Sequence, residues 1–253
     1  MKRILLLCTA IAVLAGCQTA PIKPDPSILR VGVTPDAQPI IYKQGGQILG
    51  IEADFAARLG QALDRKVVFV EVPWDKQIDF LENNKTDIIM SGMSITPARS
   101  IRINFSKPYL QSGQSAAFRR DSYDPEGLLV STIMNQTKRI GYVNNTTGEF
   151  FCMQRFTRSE KKGYPNATAA IEALKANKID MFVHDAPVIW WLAAINEADV
   201  VSFPEVLNVE PLAWGISKQN MALLDEINAL LNQWEEDGTS RKIIQNWIPN
   251  FGQ

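Results

Sequence analysis

Ser91, Gly92, Ser94 and Arg99 place two hydroxyls, a permissive stretch of backbone and one guanidinium within nine residues. Thr96 is a good helix N-cap and Pro97 a good first helical residue, so Arg99 falls in the first turn of a short helix. The helix dipole disfavours a cation there. Two accounts of Arg99 remain open: a guanidinium held out in solvent, or one that receives a carboxylate in bidentate fashion. Ser91 and Ser94 suit the second account as extra hydrogen-bonding groups, and Gly92 lets the backbone come close.

A second set lies further along the chain. Thr147-Gly148 opens a predicted helix whose free N–H groups attract an anion, although Thr147 equally serves as that helix's cap. Asp185 follows the apolar run Met181-Phe182-Val183 and precedes Ala186-Pro187, where it is either an N-cap or a free carboxylate at a strand's end. A lone histidine such as His184 is more often structural. Trp74, after Pro73, is either core or the wall of a pocket.

These residues do not assemble into a catalytic set. Glu52 and Asp54 are two apart on a predicted helix and do not face one another, and no Ser/His/Asp order is present for acid–base or nucleophilic work. One histidine and three cysteines (Cys8, Cys17, Cys152) are too few for a histidine-rich or cysteine-based metal site, so neither metal nor cofactor is expected.

The elements that must position the polar residues are legible in the periodicity. Leu29 to Val33 reads as a strand leaving into the loop Thr34 to Pro39. Phe55, Leu59, Ala62 and Leu63 recur at helical spacing over Glu52 to Leu63, a strand follows at Val67 to Val72, then a short helix at Lys76 to Leu81 and an apolar strand after Asp87. The same rhythm restarts with strand Arg139 to Val143, helices from Thr147 and over Ala167 to Ala176, strand Asp180 to Val183, helix Ala186 to Ala194 and strand Asp199 to Phe203. Two α/β units of mainly parallel sheet follow from that pattern. Met221 to Trp234 and Ser240 to Trp247 read as helices broken at Asp237-Gly238, assignable to either unit.

The amino terminus fixes the compartment. Met1-Lys2-Arg3, an apolar run from Ile4 to Leu14 and the small residues Ala15-Gly16 before Cys17 form a lipoprotein signal. The run is too short to span a bilayer, which takes about 20 apolar residues. Cleavage after Gly16 makes Cys17 the lipidated first residue, followed by a tether over residues 17–27 that Pro21, Pro24 and Pro26 keep semi-extended. Loss of Lys2 and Arg3 takes the 26 basic residues to 24 against 27 acidic ones. That acidic balance without a basic run excludes nucleic-acid binding and a polybasic membrane patch.

Gly50 to Gly60, then Asp87 to Arg99 continuing through Asn104-Phe105-Ser106-Lys107-Pro108-Tyr109, then Arg139 to Gly148, Ala176 to Asp185 and Asp237-Gly238-Thr239 resemble, in order, the conserved blocks of the family 3 extracellular solute-binding proteins. These are the polar amino acid receptors of ABC importers. The resemblance implies a two-lobed periplasmic-binding-protein clamp of type II, with two mainly parallel sheets flanked by helices and joined by two crossing strands. By position, lobe one is residues 28–111 with 212–253 and lobe two is 113–209, with crossings near Gln111-Ser112 and Glu210-Pro211.

It also implies a ligand site made by Trp74, Ser91, Gly92, Ser94, Arg99, Thr147, Gly148, His184 and Asp185, with Arg99 on the ligand's carboxylate and Asp185 on its ammonium. Relatives that take basic amino acids usually carry an acidic residue where this chain has Thr34 and an aromatic lid where it has Ala37. A neutral or polar amino acid is therefore expected, with Gln38 or Tyr42 as replacements for the missing ring. The expected protein is a monomeric, membrane-anchored binding lipoprotein serving an inner-membrane ABC permease. Its alternatives are a receptor domain not coupled to transport and a cyclohexadienyl-dehydratase-like enzyme. Gln18 after the lipidated cysteine is a signal that in a Gram-negative cell points to the outer membrane.

Overall fold

The computed structural model describes residues 25–123, 133, 135 and 137–249. The expected signal peptide, Cys17 and the tether as far as residue 24 lie outside the described residues, as do parts of the segment 124–136 and residues 250–253. In chain order the first elements are β1 (Ile28–Val33), β2 (Asp36–Ala37), β3 (Ile41–Gln44), β4 (Gln47–Leu49), α1 (Ile51–Ala62), β5 (Lys66–Glu71), α2 (Gln77–Glu82), β6 (Ile88–Ile89), α3 (Pro97–Arg102), β7 (Asn104–Phe105) and β8 (Leu110–Ser112). There follow β9 (Gln114–Arg119), β10 (Arg139–Val143), α4 (Thr147–Arg155), β11 (Glu160–Tyr164), α5 (Ala167–Lys175), β12 (Met181–Asp185), α6 (Ala186–Ile195), β13 (Val200–Ser202), β14 (Glu210–Leu212), β15 (Gly215–Ile216), α7 (Met221–Glu236) and α8 (Thr239–Gln245).

Two five-stranded sheets organise these elements. The first runs β5-β1-β6-β15-β7, with β1 parallel to β5 and β6, and β15 antiparallel to β6 and β7. The second runs β11-β10-β12-β9-β13, with β10 parallel to β11 and β12, and β9 antiparallel to β12 and β13. Each sheet thus has a parallel half, as the βαβ rhythm predicts, and an antiparallel half, so neither is mainly parallel as expected; β7 and β15 are only two residues long, whereas the unpredicted β9 spans six. The antiparallel pair β8–β14 sets Pro211 opposite Gln111 and Glu210 opposite Ser112 between the two sheets.

The same device locks both parallel halves. Arg30 opens onto Asp87 with its backbone N–H, Nε and Nη2, and Arg139 opens onto Asp180 in the same three-point way. Each pair fixes a residue of a central strand, the third of β1 and the first of β10, to the residue before its parallel neighbour, and fork-to-carboxylate geometry makes a one-residue slip unfavourable. The Arg139 guanidinium holds the Asp180 carboxyl down at about 2. At the opposite, carboxyl ends of these strands lie the loops that carry the polar residues.

Apolar side chains from α1, β1 and β6 pack with Leu223, Ile227, Leu231 and Trp234 of α7 and Ile244 of α8. The two last helices therefore belong with the first sheet, an assignment periodicity left open. Phe55 lies beside Trp234, and Trp247 Nε1–H donates to Asp54 Oδ2 at 2.8 Å. The other face of the second sheet closes over Phe151, Cys152, Phe156 and Met181. Cys152 is buried and unpaired, and burial pushes its thiol up to about 12, so it is an inert core residue. Among the described residues no helix is long and apolar enough to cross a membrane.

Candidate ligand-binding cleft

A cavity at the carboxyl ends of both sheets draws its walls from both halves of the chain. Eight of the nine predicted site residues line it: Trp74, Ser91, Gly92, Ser94 and Arg99 from the first sheet's loops, Thr147, His184 and Asp185 from the second's. Gly148 does not. It is buried as the second residue of α4, and a Cβ there would come within 2.9 Å of Gln114 Oε1, so its smallness serves helix-to-strand packing.

Arg99 is built as its helix signals require. Thr96 Oγ1 accepts the Arg99 N–H at 3.2 Å and Pro97 begins α3. One guanidinium N–H, on Nη1, donates to Ser94 O at 2.9 Å, and the guanidinium carbon stands 5.2 Å over the Trp74 ring. No carboxylate lies within ion-pair distance among the described residues, and burial lowers its pKa, with Asp185 and Glu210 opposing that fall. A half-buried cation with several unspent donors facing a cavity suits an anionic partner there. Trp74 is fixed in turn by donating Nε1–H to Asn145 O at 2.8 Å, a contact from the first sheet's loops to the second's.

Thr146, not Thr147, caps α4, with its Oγ1 accepting the Glu149 N–H. That corrects the capping alternative and leaves the Thr147 hydroxyl in the cleft, 3.3 Å from Ser94 Oγ. Asp185 stands at the N-cap position of α6 but makes no side-chain cap bond. Its Oδ1 accepts from Gln114 Nε2 at 2.7 Å, while Oδ2 takes none of the described hydrogen bonds. Burial raises the Asp185 pKa; His184 works against that rise, and the Glu210 carboxylate adds to it. The Asp185 N–H donates to His184 Nδ1 at 2.7 Å, so this nitrogen acts as acceptor and the 4.0 Å approach of Asp185 Oδ2 is not an ion pair while it does.

The floor on the first side is tied from below. Ser91 Oγ accepts the Thr34 N–H at 2.7 Å, and Gln77 Nε2 donates to Thr34 Oγ1 at 2.9 Å. Gly92 adopts φ +66, a conformation few side chains accept, and donates its N–H to Glu52 Oε2 at 2.7 Å. Glu52 is fully buried, and that burial pushes its carboxyl up to about 8. The Gly92 N–H, then Tyr109 and Trp214, moderate the rise, yet among the described residues Glu52 Oε1, Tyr109 Oη and Trp214 Nε1 close no hydrogen bond.

Several polar residues of the cleft were not predicted, Asn144 and Thr146 among its lining. Asp36, two residues beyond Thr34, lines the cavity; burial raises its pKa against the pull of His184. Gln114 and Glu210 support the floor. Of the expected ring replacements, Tyr42 instead packs edge-on against Trp247, and neither it nor Gln38 lines the cavity.

Residues 29–250 match the sequence pattern of the bacterial extracellular solute-binding proteins, family 3. The chain belongs to that family. Residues 1–18 match a prokaryotic membrane lipoprotein lipid attachment site. ABC transporter arginine-binding protein 1 of Escherichia coli K12 is 28% identical over 208 residues, covering 80% of this chain and 83% of its own. Among solved structures, a putative binding component of an ABC transporter from Wolinella succinogenes, complexed with lysine, is 27% identical with a TM-score of 0.83 over 87% of this chain and 95% of that one. An ancestral amino acid-binding protein described as a precursor of cyclohexadienyl dehydratase is 30% identical with a TM-score of 0.79 over the same shares. The fold is accordingly the two-lobed clamp of amino acid-binding proteins, and the family is that of periplasmic amino acid-binding components of ABC transporters.

Proposed function

We propose that this solute-binding protein captures a free α-amino acid between lobe one, residues 28–111 with 212–253, and lobe two, residues 113–209. Arg99 receives the α-carboxylate, with Ser91 and Ser94 and the Thr147 hydroxyl around it, and Asp185 receives the α-ammonium. The observation that carries this reading is the pairing of a guanidinium with donors beyond its one bond to Ser94 O and a carboxylate with one oxygen outside the described hydrogen bonds, on opposite walls of one cavity. Contacts from both walls form together only when the cleft is shut, so the ligand stabilises the closed state through its greater affinity for it. The closed form is presented to an ABC permease of the inner membrane, and a lipid on Cys17 holds the protein at a membrane.

Thr34 and Ala37 support a neutral or polar ligand side chain. Asp36 narrows that reading to side chains that donate hydrogen bonds, because a carboxylate enclosed with the ligand needs a donor. It also favours a second reading, a cationic side chain, in keeping with the arginine and lysine named for the two relatives. Calorimetry of the domain from residue 18 against L-glutamine, L-arginine, L-leucine and L-glutamate tests both. Glutamine or arginine should bind and leucine and glutamate should not. Asp36→Asn should weaken arginine far more than glutamine. Tight binding of leucine or glutamate would overturn the side-chain argument. Small-angle scattering should show compaction with the bound ligand, and the ligand should be recovered unchanged; its conversion would favour an elimination enzyme on the same clamp.

A further inference from the structure

Glu210 touches no ligand group in the reading above, yet it joins the two halves of the cleft. It stands on β14, opposite Ser112 of β8. Its Oε1 accepts Asn208 Nδ2–H at 2.7 Å, and its Oε2 accepts the Ser94 hydroxyl at 3.0 Å and Gln114 Nε2–H at 3.3 Å. Ser94 comes from the first sheet's side and Gln114 from β9 of the second. Each then reaches a proposed ligand contact: Ser94 O accepts from Arg99 Nη1, and Gln114 Nε2 donates to Asp185 Oδ1. Gln114 is fully buried and its Oε1 is unpartnered among the described residues, so its amide is held through Nε2, which donates to Glu210, to Asp185 and, at 3.3 Å, to Thr147 Oγ1.

We propose that Glu210 is a positioning residue for ligand capture: from the crossing strand it orients Ser94 and Gln114 together, and through them registers Arg99 and Asp185 to the hinge. The proposal rests on the amino acid reading above. A carboxylate in this place does two separable things. Its geometry aligns the two supports, and its charge faces Asp185, where burial and Glu210 both raise the carboxyl's pKa. The other groups facing Asp185 are His184 beside it on β12, Arg99 from the loop side of α3, Gln114 of β9 and Tyr109, just before β8.

Two variants of the mature lipoprotein in detergent separate these effects, with L-glutamine and L-arginine as probes. Glu210→Gln keeps the shape and removes the charge. It should raise Kd at pH 7 about tenfold, and the acid limb of the affinity profile should move to lower pH, because Asp185 then ionises more readily. Glu210→Asp keeps the charge and withdraws it by one methylene. It should lose comparable affinity with the acid limb in place. Carbon-13 titration of the Asp185 carboxyl in ligand-free protein should show its pKa falling in Glu210→Gln only. Wild-type affinity in both variants with unchanged Asp185 titration overturns the proposal. If neither probe binds the wild type, the amino acid reading fails, and the Asp185 titration still decides the role of Glu210.

Discussion

Glu52 gives the sharpest quantitative consequence of this fold. It sits in the first turn of α1, where the helix dipole favours a negative charge, but its complete burial outweighs that and moves its carboxyl from an ordinary 4.5 to about 8. The folded protein therefore holds this proton more tightly than the unfolded chain between those two values. Stability should be full below pH 4.5, fall as pH rises toward 8, and level off above it. The gap sets a ceiling on the order of 5 kcal/mol for the loss. Glu52→Gln mimics the neutral acid and keeps a carbonyl acceptor for the Gly92 N–H, so it should remove the slope. Urea denaturation of both proteins at half-unit steps from pH 5 to 9 checks this, since their difference cancels every other titrating group. Parallel profiles, or a wild type that gains stability relative to the variant as pH rises, would refute the burial argument.

Arg99→Lys should weaken L-glutamine or L-arginine binding by about 2 kcal/mol, roughly thirtyfold, because an ammonium cannot reproduce the forked contact; unaltered calorimetric affinity would place Arg99 outside the site. Cys17→Ser should move the protein from the membrane to the soluble fraction on cell fractionation, and retention in the membrane would remove the lipid-anchor reading.

Strands covered on both faces were the readable part of the fold. β1 and β10 announce themselves through Leu29 to Val33 and Arg139 to Val143, where burial on both sides demands near-continuous apolar residues. β11 did not, because Glu160-Lys161-Lys162-Gly163-Tyr164 forms a sheet edge whose outward positions are charged. Only β2 falls in the expected loop Thr34 to Pro39; β3 and β4 carry no strand signal because their residues are largely half-exposed or exposed around Gly45-Gly46. In the site, Arg99 was legible because a cation in a first helical turn violates a local rule. Gln114 and Glu210 obey every local rule for strands; only pairing with Asp185 and Ser94, 71 and 116 residues away along the chain, gives them a role. Thr146 and Thr147 are chemically the same cap candidate, and their division of labour depends on a one-residue offset in where α4 begins.

The first sheet takes up the chain at Ile28 and receives it again through α7 and α8, which pack on α1. An acyl chain on Cys17 would consequently moor that lobe and leave the second one as the swinging part. Ten residues lie between Cys17 and Ile28, a leash of about 35–40 Å at full stretch. Such a leash would replace a search through the whole periplasmic volume with a search across a thin shell, so any permease in the same leaflet would meet the protein at an effective concentration set by tether length rather than by expression level. Modest intrinsic affinity for the permease would then be an advantage, because a weakly held receptor releases its membrane partner quickly and makes room for the next loaded copy.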